Sequence, residues 1–173
     1  MLSKKMEEQL NEQINAEIYS GYLYYAMEAY FEDEDLTGFA NWMHVQAQEE
    51  LLHADKFFKY INERGGRVRL DSIEGPKNDW DSPLEVFKEA YEHETKVTER
   101  INNLYDLALE EKDHATASFL KWFIDEQVEE EASADEIVNK LKRIGDSGHG
   151  IFMLDNELSN RMLDTAEYAE DGE

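Results

Sequence analysis

Glu50-x-x-His53 lies in the stretch 41–58 (NWMHVQAQEELLHADKFF), where helical spacing would put a carboxylate and an imidazole one turn apart. The apolar seam of that stretch steps by three and four residues through Phe39, Met43, Gln46, Glu50, His53, Phe57 and Tyr60, so both polar groups fall on the face that should be buried. A buried carboxylate without a partner costs several kcal/mol and must be compensated. Alone, the pair is a weak signal and reads first as an off-centre acid and a core histidine. The other seams change that. One runs Leu10, Ile14, Glu17, Gly21, Tyr24; a second runs Phe87, Ala90, Glu94, Val97, Ile101, Leu104, Ala108. The last runs Phe119, Phe123, Glu126 or Gln127, Glu130, Ala134, Ile137, Leu141, Ile144. Each is interrupted by glutamate near its middle, and four helices that each bury an acid at mid-height need a cation to gather them.

Carboxylates with an imidazole and no thiolate suit iron, manganese or zinc better than copper or calcium. Glu17 and Glu50-x-x-His53 in the first half are answered by Glu94 and Glu130-x-x-Ser133 in the second, an internal pseudo-repeat that implies a two-fold site at the bundle centre. Two bridging acids, Glu50 and Glu130, with one terminal acid on each side would hold two cations a few ångströms apart. This follows the general arrangement of di-iron carboxylate bundles, except at Ser133, where a second histidine is expected. Gln127, one turn before Glu130, can compensate through its amide oxygen or a held water. The two positions should therefore differ, with tighter binding beside His53.

The elements that would carry these residues are legible in order. Ser3 caps a first helix that continues to about Asp33, roughly 40 Å at 1.5 Å per residue. Its middle, 18–31, is apolar or aromatic nearly all round, which predicts a subunit interface as well as a core face. Glu34-Asp35 makes a short turn with an acidic N-cap, and the second helix runs to about Arg64, ended by Gly65-Gly66. So short a connection makes the first two helices antiparallel neighbours. Residues 65–81 have no helical periodicity and read as a crossover along the bundle, leaving the second and third helices parallel. Ser82-Pro83-Leu84-Glu85 opens the third helix, which ends near Glu111; Asp113 caps the fourth, which runs to Ile144. GDSGHG then breaks the chain before a short fifth helix over about 151–163. The expectation is an all-α four-helix bundle with one long crossover and a short fifth C-terminal helix. It forms a single domain over 1–166, with a disordered acidic tail at 167–173.

Composition narrows the function. The 173 residues carry a formal net charge of −24 and no basic patch, which excludes phosphate-driven nucleic-acid binding. Acidity on this scale is a solvated coat, an adaptation to salt, or a surface that collects cations. The absence of cysteine removes disulfides, iron–sulfur clusters and thiolate zinc sites and fits a reducing cytosol. No basic apolar leader and no apolar run near 18 residues occur, so secretion and membrane spanning are not expected and the location is read as cytoplasmic.

Five stretches stand out together: Asn15-Ala16-Glu17, Glu49-Glu50-Leu51-Leu52-His53, Glu63-Arg64-Gly65-Gly66-Arg67, Glu94 and Glu126-Gln127-Val128-Glu129-Glu130-Glu131. Through them the chain resembles the non-haem prokaryotic ferritins over essentially its whole length, which implies a ferritin-like four-helix bundle. The resemblance implies a ferroxidase centre in which Glu17, Glu50 and His53 hold a first iron. Glu50, Glu94 and Glu130 hold a second, with Gln127 beside it. It further implies a third iron position at Glu49, Glu126, Glu129 and Glu130, with Tyr24 and Trp122 as the aromatic neighbours of the centre. Fe(II) would be oxidised by dioxygen and laid down as ferric mineral inside a hollow homo-oligomeric shell, expected to number 24 subunits. No haem is expected: bacterioferritins carry a second Glu-x-x-His, here Ser133, and a haem-ligating Met where this chain has Leu51 and Leu52.

Two other readings make different predictions. A di-iron or di-manganese oxidase or peroxidase of the same class would use the centre without storing mineral. A purely structural acidic bundle would pair with a basic partner. His44, His93, His114 and His149 lack a partnered seam position and read as surface histidines.

Overall fold

A computed structural model describes residues 1–164 and arranges them as five helices: α1 (Lys4–Asp33), α2 (Thr37–Glu63), α3 (Pro83–Glu110), α4 (His114–Ile144) and α5 (Gly148–Leu158). The expected tail at 167–173 lies outside the described residues. No described helix is long and apolar enough to cross a membrane.

Most helix starts are set by local chemistry. Ser3, Ser82, Asp113 and Ser147 each accept a first-turn amide, from Met6, Glu85, Thr116 and Gly150 respectively. Two helices differ from the sequence reading. The fifth begins three residues early, because the Ser147 cap outweighs the helix-breaking tendency of the glycines after it, and it ends at Leu158, short of the expected 163. The second helix has no acidic side-chain cap: Asp35 lies at φ 57° and Leu36 stands at the N-cap position without a side-chain hydrogen bond. Asp155 of α5 supplies the missing acceptor, taking the amides of Gly38 at 2.8 Å and Phe39 at 3.1 Å.

Contacts between helix ends fix the topology. Asn11, near the start of α1, donates to the carbonyl of Arg67 beyond the end of α2, so these helices are antiparallel. Ser3 donates to Glu111 at the end of α3, while Tyr30 near the end of α1 packs on Trp80 just before α3 begins. Hence α1 and α3 are antiparallel, and the crossover 65–81 leaves α2 and α3 parallel, as expected.

The core is split. One apolar cluster gathers Met27, Phe31, Phe39, Met43, Phe87, Ile137 and Leu141; the other gathers Leu10, Ile14, Phe57, Ile61, Ile101, Leu120 and Phe123. Along every long helix the chain passes from one cluster to the other through an acid: Ile14–Glu17–Leu23, Ala47–Glu50–Ala54, Ala90–Glu94–Val97 and Phe123–Glu130–Ile137. The helices crowd closely there. A Cβ on Gly21 would sit 3.2 Å from the Ala47 carbonyl oxygen. Tyr22 and Tyr25, in the aromatic middle of α1, stay exposed.

Candidate metal centre

Glu17, Glu50, Glu94 and Glu130 are all buried, and His53 and Gln127 are buried with them. The helix seams deliver them to one layer because each sits at the core-facing register between the two apolar clusters. Glu17, Glu50 and His53 each bring one ligand atom within 4.8 Å of the others; His53, Glu126 and Glu130 form a second such group. His53 Nδ1 lies 3.5 Å from Glu50 Oε2.

Neighbouring polar side chains aim these ligands. Gln13 Nε2 donates to Glu17 Oε1 at 2.8 Å, and Gln13 Oε1 in turn accepts from Arg100 Nε at 3.2 Å. Gln46 Nε2 donates to Glu130 Oε2 at 2.7 Å and to Glu50 Oε1 at 3.4 Å, spanning the two acids expected to bridge. Tyr24 donates its hydroxyl to Glu94 Oε1, while Gln127 Nε2 donates to Glu94 Oε2 at 3.2 Å. Gln127 thus holds Glu94 through its amide nitrogen.

Burial dominates the electrostatics. It pushes Glu17 up to about 8, helped by the charge of Glu50. Burial likewise raises Glu94 and Glu130 to about 7; at Glu130 the charge of Glu94 adds to it, and at Glu94 the bonds from Tyr24 and Gln127 oppose it. Burial and the charges of Glu94 and Glu130 drive Glu50 well above the ordinary carboxylate range. Burial first, then Glu94, drives Tyr24 well above 10.0. Among the described residues, Glu17 Oε2, Glu50 Oε2 and Gln46 Oε1 are buried oxygens with no hydrogen-bond partner. Native cores leave few such atoms, and three lone-pair donors turned into one layer fit a hard cation with oxygen and imidazole ligands.

The outer residues behave differently. Glu49 is nearly buried and ion-paired with Arg161, Glu126 is half-buried beside His53 and Glu130, and Glu129 is exposed, outside both ligand groups. Trp122 stands edge-on to His53 at 5.5 Å between ring centroids. Of the four histidines read as surface residues, His114 and His149 are exposed, and His44 is partly exposed and paired with Glu28 at 3.1 Å. His93 corrects the reading: Ser20 Oγ lies 2.8 Å from its Nε2, the Tyr24 ring stands edge-on to it, and burial holds it down to about 4. The seam pattern gave no sign of this, because His93 meets Ser20 across two helices. Gln46 was visible as a polar break in its seam; Gln13, Arg100 and Arg161 had no such signal.

Residues 7–144 match the ferritin-like domain family. The chain is 48% identical over 161 residues to a bacterial non-heme ferritin of Bacteroides fragilis, covering 93% of this chain and 100% of the relative. It is 44% identical over 164 residues to a bacterial non-heme ferritin of Staphylococcus aureus, covering 95% and 99%. An open-pore ferritin from the archaeon Archaeoglobus fulgidus superimposes with a TM-score of 0.93 at 56% identity, covering 94% of this chain and 99% of the other.

Proposed function

From the premise that this chain belongs to the ferritin-like domain family, we propose how its residues carry out the work of a ferritin. The protein oxidises Fe(II) with dioxygen and stores the ferric product inside a hollow shell of identical subunits. We take residues 1–166 as its single domain, 24 subunits as the shell and the cytoplasm as its location, which suits a cysteine-free chain.

Iron is the substrate. Glu17, Glu50 and His53 take a first Fe(II); Glu50, Glu94 and Glu130 take a second, with Gln46 steadying Glu50 and Glu130. Tyr24 and Gln127 hold Glu94 in place from either side. Each iron gives one electron to dioxygen. The carboxylates favour the ferric product, and Glu49, Glu126, Glu129 and Glu130 offer it an outward path of further oxygen ligands. Protons held on the raised acids leave as cations bind, because ligands must be deprotonated.

The observation that carries this reading is the buried group of Glu17, Glu50 and His53, with ligand atoms within 4.8 Å of one another and Glu17 Oε2 and Glu50 Oε2 accepting no hydrogen bond. Aerobic addition of Fe(II), followed by ferric absorbance with sizing of the particle, tests it. The expected result is rapid oxidation with iron retained in a large particle, lost in Glu50→Ala. Oxidation without retention would point to an oxidase, and no oxidation above buffer would overturn the reading.

A further inference from the structure

Beyond α5 the chain turns back onto the bundle. Asn41 Nδ2 donates to the carbonyls of Leu158 at 3.2 Å and Arg161 at 3.1 Å. With the α5 end anchored there, Arg161 lies against α2. Its Nη1 donates to the Trp42 carbonyl at 3.3 Å, and its guanidinium carbon lies 4.3 Å from the centroid of the Trp42 ring. Its Nη2 donates to Glu49 Oε2, with both side chains largely sheltered from solvent. Glu49 precedes Glu50 directly, so the guanidinium bonded to it stands at the flank of the centre.

We propose that Arg161 is a tethered, displaceable cation that controls iron occupancy at Glu49 and couples it to release of the segment after α5. The proposal rests on the reading of Glu49 as an iron ligand. A guanidinium bonded to a sheltered carboxylate is a charge-assisted pair, and a divalent ion on the same carboxylate would face it as a like charge. Each occupant therefore weakens the binding of the other. Binding linkage is reciprocal: if freeing Arg161 favours iron at Glu49, iron at Glu49 favours freeing Arg161 by the same factor. Between loads the arm neutralises Glu49; during loading it yields.

The assembled shell is titrated with Zn(II), a redox-inert probe, while amide exchange is followed at residues 159–163. In the unmodified protein, zinc saturation should speed exchange there. Arg161→Gln should exchange fast without zinc and bind the Glu49-dependent zinc about tenfold more tightly. Arg161→Lys, which keeps the charge and loses the planar fork, should fall between. Glu49→Gln should lose one class of zinc site. If that class is lost in Glu49→Gln, yet exchange at 159–163 ignores zinc and Arg161→Gln binds it no more tightly, the latch is wrong and the Glu49 reading survives. If Glu49→Gln loses no zinc site, both fall.

Discussion

Asp155 on the short fifth helix caps the second helix, its Oδ1 accepting the Gly38 amide at 2.8 Å across 117 positions of sequence. The same oxygen takes the Phe39 amide, so two orphan donors at the start of the ligand-bearing helix depend on α5. Asp155→Ala should cost about 1–2 kcal/mol, and Asp155→Asn less, since asparagine also caps. Gly38→Ala should be worse: its Cβ would fall 1.7 Å from the Asp155 carbonyl oxygen, which forces α5 off the bundle. Denaturant midpoints for the three variants, with amide exchange in α5, check the order.

Glu17 lies fully in the core with one oxygen bonded to Gln13 and the other unpartnered. In chelator-treated protein, Glu17→Gln should therefore raise stability by about 1–3 kcal/mol, because its amide NH2 replaces one of two facing acceptors and can donate to Glu50 Oε2. The gain reverses once metal is present. Zinc should stabilise the unmodified protein strongly and the variant weakly, because a cation that binds only the folded state adds to stability by mass action. Thermal midpoints with chelator and with zinc, for both proteins, give the four values needed. A variant that gains in chelator and still responds fully to zinc would remove Glu17 from the ligand set.

Tyr24 and Gln127 grip opposite oxygens of Glu94. Tyr24→Phe keeps the ring and deletes one donor, so it should cost about 1 kcal/mol of stability. Its larger effect should fall on iron: Glu94 turns more freely, and oxidation in a single turnover slows. Zinc binding beside His53 should be untouched, since Glu94 is not part of that ligand group. Single-turnover oxidation paired with zinc titration separates the two positions.

What the sequence made legible was whatever repeats along one helix. The seams of three and four residues placed Glu17, Glu50, His53, Glu94 and Glu130 at buried registers, and local caps at Ser3, Ser82 and Asp113 marked their helices. Contacts between distant segments left no such trace. Asp155 at Gly38, Arg161 at Glu49 and Ser20 at His93 join positions at least 73 apart, and neither partner has an unusual neighbourhood in the chain. Glu129 shows the converse limit. Its neighbours Glu126 and Glu130 turn toward His53, but 100° per residue carries Glu129 itself to solvent.

Arg64 at the end of α2 and Asp113 at the start of α4 lock the end of the bundle far from α5. Arg64 Nη2 lies 3.0 Å from both Asp113 oxygens, which also accept the Thr116 amide at 3.1 Å and its hydroxyl at 2.8 Å. Burial alone would raise the Asp113 carboxyl, but the two Thr116 bonds and Arg64 outweigh it and hold the group below its ordinary 3.8. A depressed folded value means the unfolded chain takes up the proton first as pH falls. The stabilisation is therefore complete above 3.8 and drains away only as pH drops through the lower folded value. Asp113→Asn should cost about 1–2 kcal/mol at neutral pH through the weakened Arg64 contact. Because asparagine does not titrate, the gap between variant and unmodified protein should narrow below 3.8 and hold constant above it. Denaturant midpoints of both proteins across that range read the gap directly. A gap independent of pH would mean that Arg64 and Asp113 contribute through shape alone, not through charge.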